Sequence, residues 1–319
     1  MNAASAFKRK PVYTYILVIL SMVFWGFSFV WSTIVLRYYD PVTTVLLRLI
    51  LSSAIMFGGL KLFGRLQKIQ REDYRLFLLS ALLNPFLYFL GENYGLKYSS
   101  PTISAVIIAT IPLFTPILGY LAFREKMTPL NVAGLFLSFF GVLFMLVDSN
   151  LSFSASPVGI AWLFMAVITA VFYAVLLKKL AFKYDAFTII ATQNLIGAFF
   201  FLPLFFVLDF REFIHVIPTT ELIVSLLLLA FFASSLAFTF FTIGAHELGI
   251  SKTSLFSNLI PVFTAVFSWL ILNEQFEMQK IGGMALVLSG VLLSQVTGKK
   301  LFINFYRFII FRKKNNDSN

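Results

Sequence analysis

The sequence contains no cysteine and only two histidines, His215 and His246. Disulfides, thiolate metal sites and a catalytic thiol are therefore excluded, and no HExxH or comparable spacing offers a metal site. Charge is scarce as well: 12% of residues are charged, against about 25% in soluble domains. Hydrophobic residues make up 59% of the 319. A chain of this size with so few charges could not cover its surface in water, so the bilayer is its expected solvent. No P-loop is present, which excludes direct drive by ATP. The aspartates (Asp40, Asp73, Asp148, Asp185, Asp209, Asp317) read as loop residues and the histidines as lying at or beyond helix ends. Neither a carboxylate pair, a Ser–His dyad nor a metal cluster is then expected at membrane depth. The chain is expected not to be an enzyme and to carry no cofactor.

What is present is a series of apolar runs. Reading between charges, prolines and polar clusters gives ten candidate spans, near 13–36, 42–63, 75–96, 101–123, 129–147, 158–178, 187–208, 221–245, 251–272 and 280–296. Each approaches the roughly 20 apolar residues that a crossing needs. The net charge of +11 sits between spans, as membrane orientation requires, and points away from nucleic acid. With both termini cytoplasmic, twenty of the 25 Lys and Arg fall inside and four (Arg37, Lys97, Arg211, Lys280) outside, leaving Arg48 within a span. A miscount of one span would invert every later loop and destroy that bias. Lys8-Arg9-Lys10 precedes the first span, which carries no cleavage site of the secretory kind, so it is expected to remain as an anchor. The chain is expected in the plasma (inner) membrane as a multi-pass protein.

The chain also repeats itself at a fixed offset. Tyr98–Gly141 laid over Glu247–Gly290 without a gap puts Pro112 on Pro261, Phe114 on Phe263, Thr115 on Thr264, Glu125 on Glu274, Gly134 on Gly283 and Gly141 on Gly290. Gly95 falls on Gly244 just upstream. Five spans per half is an odd number, so the second half must enter the membrane in the opposite orientation. The expected fold is all-α: a cytoplasmic N-terminus (1–12), a first five-helix repeat (13–147), an outer linker (148–157), a second, inverted repeat (158–296) and a basic cytoplasmic tail (297–319). The tail reads either as an interfacial helix held by anionic lipid or simply as positive-inside charge.

At these residues the chain resembles the drug/metabolite transporter superfamily, in particular its ten-helix members built from two EamA-type repeats. The first span carries Phe24-Trp25-Gly26-Phe27-Ser28-Phe29 and the second Leu47-Arg48-Leu49. Then follow Asn93-Tyr94-Gly95-Leu96-Lys97-Tyr98, Pro112, Arg124-Glu125-Lys126, Gly134 and Gly141. The second half keeps Asn273-Glu274-Gln275 and Gly282-Gly283. It departs early on, where Gln193 stands near the expected repeat of Arg48 and Tyr173 near that of Trp25. The resemblance covers roughly residues 13–296. It implies a carrier of small organic solutes such as amino acids, metabolites or drugs, commonly an exporter, with a central cavity between the halves.

A transport path needs polar faces on helices that meet in the centre. Helical spacing supplies such faces at Ser21, Trp25, Ser28 and Ser32; at Asn84, Tyr88 and Glu92; at Ser235, Thr239, Thr242 and His246; and at Ser254, Asn258, Pro261 and Ser268. Small hydroxyl residues serve helix packing equally well. Trp25, Asn84, Tyr88 and Asn258 are large polar groups that need a partner in hydrocarbon, and are assigned to the cavity. Ser28, Tyr173 and Thr239 are added as candidate substrate contacts. Pro112 and Pro261 are candidate hinges. Arg48 and Glu92 are charges within spans, where a central arginine costs about 2.5–3.5 kcal/mol on insertion scales. They are read either as a structural ion pair or as a substrate anchor with a proton-coupling carboxylate. The expected function is secondary-active transport by alternating access, with small solutes, the bilayer and possible coupling protons as partners. A non-transporting structural or regulatory protein on the same fold is the alternative.

Overall fold

A computed structural model describes residues 11–114, 129–146, 156–249, 253–254, 256–275 and 277–294. Residues 1–10, Pro116, the Arg124–Lys126 turn with Glu125, most of the linker, Lys252 and the basic tail lie outside the described residues. All secondary structure among the described residues is helical. Six stretches are long and apolar enough to cross a membrane: 12–35, 41–62, 71–97, 157–181, 186–213 and 220–247. Four shorter apolar helices cover 101–114, 132–142, 256–272 and 278–293. The chain is an all-helical membrane protein.

Proline and side-chain caps fix many of the helix starts. α1 (Pro11–Val35), α2 (Pro41–Leu62), α5 (Pro101–Ile108), α6 (Pro129–Leu146) and α7 (Pro157–Ala181) each open on a proline, whose missing N–H would be unpaired at that position anyway. Ser100 caps α5 by accepting from the Ile103 N–H, and Asp185 caps α8 (Ala186–Leu204) through the Thr188 N–H. Two aspartates correct the reading of all aspartates as loop residues: Asp73, buried in the 3-10 turn Arg71–Asp73, and Asp209. Asp209 is buried at the end of a helical stretch, and its carboxylate accepts from both the backbone N–H (2.8 Å) and the hydroxyl (2.9 Å) of Thr43. It thus satisfies the first turn of a different helix, α2, with a charge-assisted bond worth about 1.5–3 kcal/mol.

Two spans change winding midway, and a third, 186–213, does so nearer its end, at the π-helical turn Phe205–Asp209. The stretch 71–97 consists of α3 (Tyr74–Ala81), a π-helical turn Leu82–Leu87 and α4 (Tyr88–Lys97). Pro85 offers no N–H and Asn84 adopts extended dihedrals (φ −145°, ψ 119°), so an unbroken α-ladder is impossible there. The stretch 220–247 consists of α9 (Thr220–Leu228), a π-helical turn Leu229–Ala237 and α10 (Phe238–Glu247). The two π turns overlap under the repeat offset.

The prolines of the fourth and ninth apolar helices mark restarts rather than mid-helix kinks. Ala109 and Thr110 form a turn and Pro112 sits in the first turn of the next helical segment. Phe256–Leu259 is a 3-10 turn, and Pro261 is the second residue of α11 (Ile260–Leu272). Each interruption therefore lies just upstream of the proline.

α6 packs on its repeat counterpart α12 (Met278–Ser294). Near one end Gln279 Nε2 donates to the Phe144 carbonyl at 2.7 Å, and in the middle Ser138 Oγ donates to the Val287 carbonyl at 2.9 Å across a sequence separation of 149. A Cβ on Gly290 would lie 2.5 Å from the Ser138 nitrogen, and one on Gly141 2.7 Å from the Val287 nitrogen. The C-terminal end of α6 meets the N-terminal end of α12 and the reverse, so the two run antiparallel. Elsewhere α1 lies along α10 and α11, α2 along α8, and α4 along α7.

Polar clasps join the helix ends. Lys183 Nζ donates to Asp73 at 2.8 Å and the Tyr184 hydroxyl donates to the same carboxylate at 2.8 Å, tying the start of α3 to the turn between α7 and α8. The Asp73 carboxylate holds the Lys183 ammonium above its usual range. Asp40 pairs with Lys97, Thr14 donates to Glu247, and Thr102 donates to Glu274 at 2.8 Å.

Backbone-to-backbone packing of this kind leaves no room for a side chain. Gly141→Leu and Gly290→Leu are each expected to lower stability by about 1–3 kcal/mol or more through overpacking. Gly58→Ala, where the added Cβ meets nothing within 4 Å, is expected to be neutral or mildly stabilising. Thermal melting of the purified protein in detergent checks both outcomes.

Candidate functional site

A cavity of about 100 Å³ lies between the helices. Such a space holds several waters or a compact solute, given the roughly 10–15 Å³ that one water requires on this measure. Trp25, Ser28 and Phe29 reach it from α1, Arg48 from α2, Asn84 from the π turn, Tyr88, Phe89 and Glu92 from α4, and Ile108 and Ile111 from α5 and the segment after it. Ala170, Tyr173, Ala174 and Leu177 reach it from α7, Phe238 and Phe241 from α10, and Ser254, Ser257 and Ile260 from the broken segment that leads into α11.

The wall follows the repeat. Trp25 and Ala174, Ser28 and Leu177, Phe89 and Phe238, Glu92 and Phe241, Ile108 and Ser257, and Ile111 and Ile260 are six pairs whose members stand at the repeat offset and all face this cavity. In four of the six pairs the first half brings a polar or aromatic member where the second half brings an aliphatic or aromatic one; Ile108 and Ser257 reverse the order.

Seven of the nine candidate contacts (Trp25, Ser28, Arg48, Asn84, Tyr88, Glu92 and Tyr173) lie in this one wall. Thr239 and Asn258 do not. The Thr239 hydroxyl donates to the Ser235 carbonyl one turn back at 2.7 Å. Asn258 is buried in the 3-10 turn, beside the lining residue Ser257, and its amide finds no hydrogen-bond partner. Other hydroxyls of the expected stripes also bond to carbonyls of their own helices: Ser21 to Val18 and Thr242 to Phe238. For these the packing alternative describes the geometry. Pro112 and Pro261 stand outside the wall, one residue past the lining residues Ile111 and Ile260.

Among the described residues Arg48 is the most deeply buried cation, with 1% of its surface exposed. Its Nε donates to Ser234 Oγ at 2.9 Å, and its guanidinium carbon lies 4.2 Å from the centre of the Phe89 ring. Nη1 lies 4.0 Å from Glu92 Oε1, at the outer limit of an ion pair, and has no hydrogen-bond acceptor. Tyr88 stands one turn before Glu92 on α4, and both face the cavity. Trp25 Nε1 is likewise buried without an acceptor, while its ring packs edge-on against Phe238 at 4.9 Å.

A second polar network braces this wall from behind. Asn194 Nδ2 donates to Ser52 Oγ (2.8 Å) and to the Ser234 carbonyl (3.0 Å), and Ser52 pairs with Ser235 at 2.7 Å. Tyr173 donates to Gln193 Oε1 at 2.9 Å, and Gln193 Nε2 donates to Ser80 at 3.0 Å. Gln193 and Asn194 therefore bond across helices outside the cavity wall. Gly197 takes the place at the repeat offset from Arg48, and a Cβ there would meet Pro85 Cγ at 2.3 Å. Sequence reading missed Phe29, Phe89, Phe238 and Phe241. Among 40 phenylalanines, only the repeat offset between Phe89 and Phe238 could have drawn attention to two of them.

An Arg48–Glu92 pair this deeply buried is expected to act as a unit. Glu92→Leu leaves a buried cation uncompensated and should cost about 3–5 kcal/mol, whereas Arg48→Leu/Glu92→Leu should recover most of that loss. Thermal melts of both single variants and the double variant check the coupling. Additive losses would show that the two charges do not compensate one another.

The geometry can be set beside known proteins. The model of the EamA-like transporter family matches residues 12–147 and 157–296. An uncharacterized transporter of Archaeoglobus fulgidus is 27% identical over 284 residues, which cover 88% of this chain and 96% of that protein. The uncharacterized transporter YetK of Bacillus subtilis is 24% identical over 306 residues, 94% of this chain and 92% of YetK. An uncharacterized transporter of Methanothermobacter thermautotrophicus is 27% identical over 311 residues, 92% of this chain and 89% of that protein. A crystal structure of another protein superposes with a TM-score of 0.66 at 15% identity, over 89% of this chain and 98% of that one, a likeness of fold alone. The family and these relatives are named as transporters, not enzymes, which bears out the expectation that this chain is no enzyme. With both halves matched over nearly their whole length, the chain belongs to the EamA-like transporter family.

Proposed function

We propose that the protein is a secondary carrier of small organic solutes, working by alternating access around the cavity between α1, α2, α4, α7 and α10. One observation carries this reading: side chains from both family repeats enclose a single cavity, and they do so largely in pairs at the repeat offset. Two five-span halves of opposite orientation, 13–147 and 158–296, would place such paired positions around a common axis. The antiparallel packing of α6 on α12 supports that arrangement, since a repeat helix and its counterpart point in opposite directions.

The broken helices supply the moving parts. Turns at Ala109–Thr110 and Phe256–Leu259 interrupt equivalent helices beside the cavity, and Pro112 and Pro261 start the segments beyond. A helix interrupted there can bend without losing a bonded backbone ladder, because the ladder is already open. The π turns at Leu82–Leu87 and Leu229–Ala237 place the same freedom in α3–α4 and α9–α10. On this reading the protein sits in the plasma membrane, and the Lys and Arg distribution supports both termini being cytoplasmic. Export is the direction that the family resemblance implies, with Glu92 as the group through which protons couple.

The absence of cysteine makes the test direct. Single Trp25→Cys, Tyr88→Cys and Tyr173→Cys variants in proteoliposomes are expected to react with membrane-impermeant thiol reagents from either face, and Thr239→Cys to stay silent. Silence at all three cavity positions from both faces would overturn the carrier reading in favour of a non-transporting protein on the same fold.

A further inference from the structure

We propose that the cavity takes a small apolar monocarboxylate together with one proton, the ligand's carboxylate occupying Arg48 while Glu92 becomes the neutral acid. This deepens the carrier reading and rests on it.

The class of ligand follows from what the wall leaves unpaired. Its buried polar atoms without a hydrogen-bond partner are Arg48 Nη1 and Trp25 Nε1. Both are donors that no acceptor of the described wall answers. A ligand that completes the site must therefore bring acceptor oxygens. A carboxylate matches a guanidinium edge better than any neutral group, because charge assistance roughly doubles the strength of each bond. The rest of the ligand faces Phe29, Phe89, Ile108, Phe238 and Phe241, so it is apolar, and a flat ring suits the aromatic surfaces.

The proton follows from charge balance. Among the described lining residues Arg48 is the one cation and Glu92 the one acid, so with both ionised the wall carries no net charge. A bound carboxylate would add a net negative charge beside groups that are only 1% (Arg48) and 7% (Glu92) exposed, a cost of several kcal/mol per uncompensated ion. Transfer of one proton from solvent to a Glu92 oxygen removes that charge. The O–H bond formed on Glu92 replaces the one broken in the hydronium ion that delivers the proton, and no other bond changes. The 4.0 Å gap suits the exchange, because Glu92 holds Arg48 only through space and gives it up without breaking a hydrogen bond. The titratable and charged groups facing Glu92 are Arg48 from α2, Tyr88 on its own helix and Tyr173 from α7. α1 and the α5 segment present Trp25, Ser28, Phe29, Ile108 and Ile111, none of which titrates.

Calorimetric titration of the purified protein in lipid nanodiscs tests this, with benzoate as the probe and benzamide and benzylamine as its neutral and cationic counterparts. Benzoate is expected to bind at least tenfold more tightly than either. Its affinity should fall as pH rises from 6 to 8, by at most tenfold per pH unit. Paired buffers of different ionisation enthalpy should report uptake of close to one proton per benzoate. Glu92→Gln keeps the hydrogen-bonding shape and should bind benzoate with no pH dependence, and Arg48→Gln should lose the preference for benzoate over benzamide. The proton count on the unaltered protein decides the matter even if either variant fails to fold. Equal binding of benzamide, binding of benzoate without proton uptake, or no binding of any probe overturns the proposal. The carrier reading is judged separately by cysteine accessibility, so these outcomes leave it standing.

Discussion

Hydrocarbon offers no hydrogen bonds, and that constraint shapes nearly every polar residue of this chain. Hydroxyls within the spans turn back on their own helices, as Ser21, Thr239 and Thr242 do. Others reach across, as in the Asn194–Ser52–Ser235 and Tyr173–Gln193–Ser80 chains. Asp209 pairs with the open end of a neighbouring helix. Against that background Arg48 Nη1 and Trp25 Nε1 stand out, because the chain leaves both donors unanswered at the same cavity. Other buried polar atoms also lack a partner, among them those of Ser53, Asn93, Asn258 and Ser268, but only these two are donors that share one cavity wall, where a ligand could complete the bonding.

Close approach of helices depends on the same economy. With lipid outside and protein inside equally apolar, association rests on packing and on small residues that admit a neighbouring backbone. Gly141 and Gly290 do this between α6 and α12, Gly91 and Gly95 between α4 and α7, and Gly26 between α1 and α11. The glycines hold the frame while the π turns and helix breaks loosen it next to the cavity. On the carrier reading, tight seams beside interrupted helices would confine bending to segments whose backbone ladder is already broken.

Much of the cavity was legible because helical spacing is a geometric statement. Tyr88 and Glu92 stand four apart, and Trp25 and Ser28 three apart, so each pair must share a face; a face of large polar groups in an apolar helix has to point inward, and Asn84 joins the same wall from the π turn, where that spacing no longer holds. The same logic failed for Thr239 and Asn258. Small hydroxyls pack as readily as they line, and Asn258 lies in a 3-10 turn to which a 3.6-residue period does not apply. The π turns and the restarts before Pro112 and Pro261 were hidden for the same reason, since a period presupposes the regular helix that is interrupted there. Asp209 misled because a charge after an apolar run looks like a loop; its partner on α2 is 166 residues away in sequence.

The repeat offset shows where the two halves part company. The positions matching Arg48, Asn84, Tyr88 and Glu92 are Gly197, Ala233, Ala237 and Phe241. The frame is doubled while the charged chemistry is single. A symmetric frame gives two conformations of similar energy for little cost, since exchanging the roles of the halves converts one into the other. A symmetric pair of charged sites would defeat that purpose, because two buried arginines would repel and two ligands would compete for one small space. Keeping Arg48 and Glu92 in one half and filling the matching positions with Gly, Ala and Phe yields one neutral pair in one cavity. On the carrier reading that is one solute per cycle, with its charge balanced before either conformation closes over it.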